Sequence, residues 1–116
     1  MNIKGLGIDL VDYSEIEPRL SEAFIKRVLS SEELTIYNTL VQKRRKLSFI
    51  AGRFAAKEAL AKAFQQFEKP LNFKDVSILP NSKGAPVIIS DKISTKGLNI
   101  SISHTNSHAI AIVTKE

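Results

Sequence analysis

The chain has 116 residues, 43% hydrophobic and 25% charged, with 17 Lys or Arg against 12 Asp or Glu for a formal charge of +5. That length predicts one domain, residues 1–116, with a single core, and no apolar run approaches the ~20 residues needed to cross a bilayer. With no cysteine, disulfides and thiolate metal sites are excluded together; with no export signal at Met1–Lys4, a cytoplasmic protein is expected.

Ile3 to Val11 predicts a strand, with Leu6, Ile8 and Leu10 on one face and Gly5, Gly7, Asp9 and Val11 on the other. Glycine weakens a strand interior, so two of them beside an aspartate point to a backbone, a subunit or a ligand coming close. The alternative is a bulge with a solvent-facing Asp9. Ser14 reads as an N-cap, with Glu17 completing a capping box and Pro18 in the first turn of a helix through Phe24, Ile25, Val28 and Leu29. Ser30-Ser31-Glu32-Glu33 repeats the cap logic before a second helix over Leu34, Ile36, Tyr37, Leu40 and Val41.

The run Lys43-Arg44-Arg45-Lys46 is either a solvated helix entrance or a contact for a polyanion, which the net charge favours. It leads into Phe49–Phe64, an alanine-rich stretch without proline that predicts a long central helix to about Phe67, stopped by Lys69-Pro70. On it Leu47, Ala51, Phe54, Glu58 and Ala61 share a stripe. Lys62 follows Glu58 by one turn, and Lys57 lies beside it. The pair Glu58–Lys62 reads either as a surface ion pair or as a metal- and phosphate-handling pair at the rim of a buried face.

Beyond Pro70 the pattern turns to strands. Phe73–Leu79 and Val87–Ser90 form a hairpin about the turn Pro80–Pro86, and 91–97 reads as a loop. Asn99–Ser103 alternates with Leu98, Ile100 and Ile102 inward; His104–His108 turns, and Ala109–Val113 returns as a buried strand. The sum is an α+β fold, a mostly antiparallel sheet packed against a long central helix.

Asp9 and Glu58 are the acids in the settings least friendly to charge, one on a glycine-lined strand and one on an apolar stripe. Two carboxylates, completed by water and phosphate oxygens, are a usual way to hold Mg²⁺. Lys62 and Arg53 could neutralise phosphate. His104, with Thr105 after it, is either a packing histidine or a functional one. The chain has no Walker or dinucleotide glycine motif, no nucleophile elbow, and no helical histidine pair for zinc.

Taken in order, Gly5-Leu-Gly-Ile-Asp9, Phe24-Ile-Lys-Arg-Val-Leu29, Ala51-Gly-Arg-Phe-Ala-Ala-Lys-Glu-Ala59, Gly84-Ala-Pro86 and Ser101-Ile-Ser-His-Thr105 span nearly the whole chain. In these pieces and their spacing it closely resembles the bacterial holo-acyl-carrier-protein synthase family of 4′-phosphopantetheinyl transferases. The resemblance implies transfer of phosphopantetheine from coenzyme A to a serine of apo-acyl carrier protein in fatty acid biosynthesis. By it, Asp9 and Glu58 bind Mg²⁺ and Lys62 lies against the pyrophosphate. Arg53, His104 and Thr105 contact the coenzyme, and Pro86 lines its nucleotide end. It also implies a homotrimer with shared sites, which would account for Gly5 and Gly7. Two departures stand out. Where relatives carry a Gly-x-Gly segment this chain has Gln65–Pro70, predicting a reshaped rim. Asp12, Glu15 and Glu17 occupy a region that is basic in relatives, leaving Arg19, Lys26 and Arg27 to meet the acidic carrier.

The rival reading is a small basic RNA-binding domain, which calls for aromatics interleaved on an exposed sheet. No such run exists among 7% aromatics, so no nucleic-acid partner is expected, and no membrane. Intact Asp9, Glu58 and Lys62 argue against an inactive, coenzyme-binding relative.

Overall fold

A computed structural model describes residues 2–64 and 70–116. The chain opens with β1 (Gly5–Asp12), then α1 (Tyr13–Ile16), a 3₁₀ turn at Glu17–Arg19, α2 (Glu22–Val28), α3 (Ser31–Thr39) and α4 (Lys43–Ala63). A 3₁₀ turn at Phe73–Asp75 precedes β2 (Ser77–Pro80), β3 (Pro86–Ile89), β4 (Leu98–His104) and β5 (His108–Lys115). The α+β expectation holds, with one difference. The strands make two antiparallel sheets, β1-β5-β4 and β2-β3, instead of one.

Helix α4 packs against β1 and β5, and its alanines explain how closely. Ala51, Ala55, Ala56, Ala59 and Ala63 are buried together with Ile50 and Leu60. A β-carbon at Gly7 would collide with the Ala59 carbonyl oxygen, and one at Gly5 with that of Ala63. The two glycines are thus accounted for by a helix of the same chain. A neighbouring subunit is not needed for them. The same face of β1 carries Asp9 and Val11, so Asp9 looks toward α4 and is no solvent-facing bulge residue.

The opposite face of that sheet is apolar and exposed along β1 and β5, and polar along β4, where Asn99, Ser101 and Ser103 stand exposed. Leu6, Ile8 and Leu10 of β1 stand exposed beside Ile110 and Ile112 of β5. Strand β5 therefore alternates, with Ala109, Ala111 and Val113 inward, where continuous burial was expected.

Several local expectations shift. Asp12, and not Ser14, caps α1, its carboxylate accepting from the Ser14 amide at 2.9 Å. The helix expected from Ser14 through Leu29 breaks at the Glu17–Arg19 turn and restarts at Glu22 under a Ser21 cap. The capping box at Ser30 and Glu33 forms as read. Helix α3 stops at Thr39, leaving Val41 exposed. Helix α4 ends at Ala63 with Phe64 as its C-cap; the expected continuation to Phe67 and the stop at Lys69 lie outside the described residues. Phe73 belongs to a 3₁₀ turn instead of a strand. Among the described residues no helix is long and apolar enough to cross a membrane.

Candidate active site

Asp9 and Glu58 come from distant parts of the chain, and the contact between β1 and α4 brings them together. Lys62, one turn beyond Glu58, reaches across to β1. Its ammonium donates to the Ile8 carbonyl at 2.8 Å and lies 3.3 Å from an Asp9 carboxylate oxygen. Glu58 feels it as a nearby charge. Partial burial raises the Glu58 carboxyl above its ordinary range and the Asp9 charge raises it further, while Lys62 and Arg19 pull the other way. Arg19 is held at this edge by stacking, its guanidinium 4.7 Å from the Phe24 ring centroid and 5.4 Å from that of Phe54.

Two like charges brought together at a partly desolvated edge ask for a cation between them. No group of three or more His, Cys, Asp or Glu side chains able to hold a metal occurs among the described residues. Two carboxylates suit a hard dication such as Mg²⁺, which keeps its waters and takes further ligands from substrate phosphates. They do not suit a metal enclosed wholly by protein.

A second cluster lies elsewhere on α4. Arg53 and Glu58 are five residues apart, about 140° around the helix, so they face different surroundings. The Arg53 guanidinium donates twice to the Ile78 carbonyl, at 3.3 and 3.0 Å, and stacks 4.0 Å from the Phe49 ring centroid. It lines a cleft with Arg44, Arg45, His104 and Thr105. His104 ends β4 close over α4 at Gly52. The Thr105 hydroxyl oxygen accepts from the amides of Ser107 and His108, organising the turn. The first turn of α4 supplies Lys43, Arg44, Arg45 and Lys46 with no acid and no side-chain cap. Cations at a helix N-terminus oppose its dipole, so this end favours an anion nearby.

The sequence-predicted residues therefore separate. Asp9, Glu58 and Lys62 meet at one edge; Arg53, His104 and Thr105 share another cleft. Pro86 begins β3 opposite Pro80 and lines neither that cleft nor the groove described next. Sequence reasoning left Arg44 and Arg45 undecided as a helix entrance, and gave Arg19 no place beside Glu58. The signal available for Arg44 and Arg45 was their position, at an uncapped helix start.

Beside the first cluster runs a groove lined by Phe24, Phe54 and Phe73 with Arg19, Arg27 and Lys74. Lys26 also lines it and pairs with Glu22 at 2.9 Å. Beneath it Lys57 is fully buried with Glu33. Burial lowers the Lys57 ammonium from its ordinary range and the Glu33 charge opposes the shift. Lys57 thus plays no part at the Glu58 rim, where the sequence had set it.

The model of the 4′-phosphopantetheinyl transferase superfamily matches residues 5–113. The chain belongs to this superfamily. Within it, the chain is 40% identical over 114 residues to the holo-[acyl-carrier-protein] synthase of Acholeplasma laidlawii, spanning 98% of this chain and 97% of that one. The Bacillus subtilis holo-[acyl-carrier-protein] synthase is 39% identical over 117 residues, covering 98% and 96%. The Bacillus anthracis synthase, solved in complex with CoA (3′,5′-ADP), superposes with a TM-score of 0.86 at 33% identity over 98% of this chain and 96% of that one. The Helicobacter pylori synthase in complex with coenzyme A gives a TM-score of 0.79 at 37% identity, covering 96% and 99%. The family resemblance read from the motifs is borne out.

Proposed function

We propose that this single domain transfers the 4′-phosphopantetheine group of coenzyme A to a serine hydroxyl of an apo-acyl carrier protein. The products are holo-acyl carrier protein and adenosine 3′,5′-bisphosphate, in the fatty acid biosynthesis of the cytoplasm. The observation that carries this reading is the Asp9–Glu58 pair flanked by Lys62 and Arg19, in a chain of this superfamily. In the reaction the serine oxygen bonds to the phosphorus bearing pantetheine, and the bridging P–O bond to the nucleotide breaks. Asp9 and Glu58 are the ligands we assign to Mg²⁺, whose charge, when bound, offsets the charge gathering on the pyrophosphate. The Lys62 ammonium, half-exposed at the same edge, is free on its solvent side to take a pyrophosphate oxygen. The serine proton has carboxylate acceptors at hand in Asp9 and Glu58.

We assign Arg53, His104 and Thr105, with Arg44 and Arg45, to the phosphate-bearing nucleotide end of coenzyme A. Pro86, outside that cleft on its own chain, we assign to the nucleotide wall of a site completed by a neighbouring protomer. The groove bearing Arg19, Lys26, Arg27 and Lys74 suits an acidic carrier. Two features support a homotrimer with sites shared between protomers. One is the apolar outer face of β1 and β5; the other is that the two clusters diverge on one chain.

The direct test is intact-mass analysis of apo-acyl carrier protein incubated with the protein, coenzyme A and Mg²⁺. A gain equal to phosphopantetheine, abolished by EDTA, is expected. No gain with any acidic carrier would overturn the proposal.

A further inference from the structure

The reaction as proposed makes no use of the Lys57 ammonium, although it is fully buried and every bond it makes is specific. It has three donors and three acceptors. These are the Glu33 carboxylate, the Val28 carbonyl at 2.7 Å and the Phe73 carbonyl at 2.8 Å. Val28 closes α2, and Phe73 opens the 3₁₀ turn before β2. Both residues line the basic groove together with Phe54. The Phe54 ring touches both walls, its centroid 5.9 Å from Phe24 and 6.1 Å from Phe73. Lys57 stands one turn further along α4, fully buried, and bonds the main chain of both segments. Glu33 in turn accepts from the Ser30 amide at 2.9 Å and the Ile78 amide at 2.8 Å, tying the same ammonium to α3 and β2.

A buried ion pair is a poor way to gain stability, since an apolar pair of similar volume does as well or better. What an apolar side chain cannot do is hold two carbonyls at a fixed separation. We propose that Lys57 is a positioning residue that sets the width of the groove in which the acidic carrier seats, by holding the end of α2 and the Phe73 turn on one ammonium. This rests on the groove being the carrier's seat, as proposed above.

Lys57→Met alone strands the Glu33 carboxylate, so the test uses Lys57→Met with Glu33→Gln, whose folding is checked by its thermal transition. The expected result is KM for apo-acyl carrier protein raised about tenfold, a loss of about 1.4 kcal/mol in binding. KM for coenzyme A and kcat should stay within about twofold of wild type on that same scale. Lys57→Arg, which keeps a charge for Glu33 but cannot set one nitrogen on all three acceptors, should give the same split at smaller size. An unchanged carrier KM in both variants overturns the proposal, as does an equal rise in both KM values. Arg27→Glu on the groove wall tests the underlying reading separately. A raised carrier KM there with none in the Lys57 variants sinks the tie alone, whereas an unchanged carrier KM in Arg27→Glu sinks the groove as the seat.

Discussion

Glu58 is where stability and function pull apart at the scale of one residue. Burial and the Asp9 charge raise its proton affinity in the fold. The folded state therefore holds a proton that the unfolded chain releases near the ordinary glutamate value of 4.5. The stabilisation from this group is complete below that value and is lost as the pH rises through the folded one. Glu58→Gln should flatten that part of the stability curve in urea melts with EDTA across about pH 4 to 8. At neutral pH it should leave the midpoint unchanged or raised, while turnover falls by about 100-fold or more. A lowered midpoint would mark Glu58 as structural. Its neighbour shows why side-chain roles were only half legible. The stripe through Leu47, Ala51, Phe54 and Glu58 was visible in the spacing. That Lys57 points inward followed from Glu33, which is 24 residues away and already explained as part of a capping box.

Among the elements, the pairing of β1 with α4 decides whether the site exists. Glycine on the strand and alanine on the helix let the two backbones approach, and that approach sets Asp9 against Glu58. Gly7→Ala should cost roughly 3 kcal/mol, the upper end for an overpacked core, because the new methyl meets a helix carbonyl that cannot swing aside. A drop of roughly 10–20 °C in the thermal midpoint would show it; a drop of a degree or two would mean that the helix shifts freely. Strand alternation, the capping box at Ser30 and the long helix were all legible, since each rests on local pattern. The break of the first helix was not. Asp12 captures the Ser14 amide before Ser14 can act as a cap, and Pro18 falls in a 3₁₀ turn, so the chain re-enters a helix only at Ser21.

For the molecule as a whole, the outward row of Leu6, Ile8 and Leu10 beside Ile110 and Ile112 is the feature that a lone protomer leaves unexplained. Its alternation was plain in the sequence, but which side faced the helix was not, because the glycine face is the one that is buried. If protomers join here and share sites, Ile112→Asp should yield monomers by light scattering and abolish transfer. Mixing inactive Glu58→Gln with inactive Arg53→Ala/His104→Ala, after dissociation and reassembly, should restore part of the activity through hybrid sites. A mixture that stays inactive would place each site within one protomer.

The closure of β1 onto β5 also bears on how the protein is made. Gly5 pairs with Lys115 and Asp12 with His108, so the earliest strand finds its hydrogen-bonding neighbour in the latest. On a ribosome, β1 emerges and waits through the synthesis of every helix with its edge unsatisfied. Such long-range pairing folds slowly. Until translation reaches β5, the edge of β1 that will pair with it has no strand to bond, and the three-stranded sheet can zip only at the end.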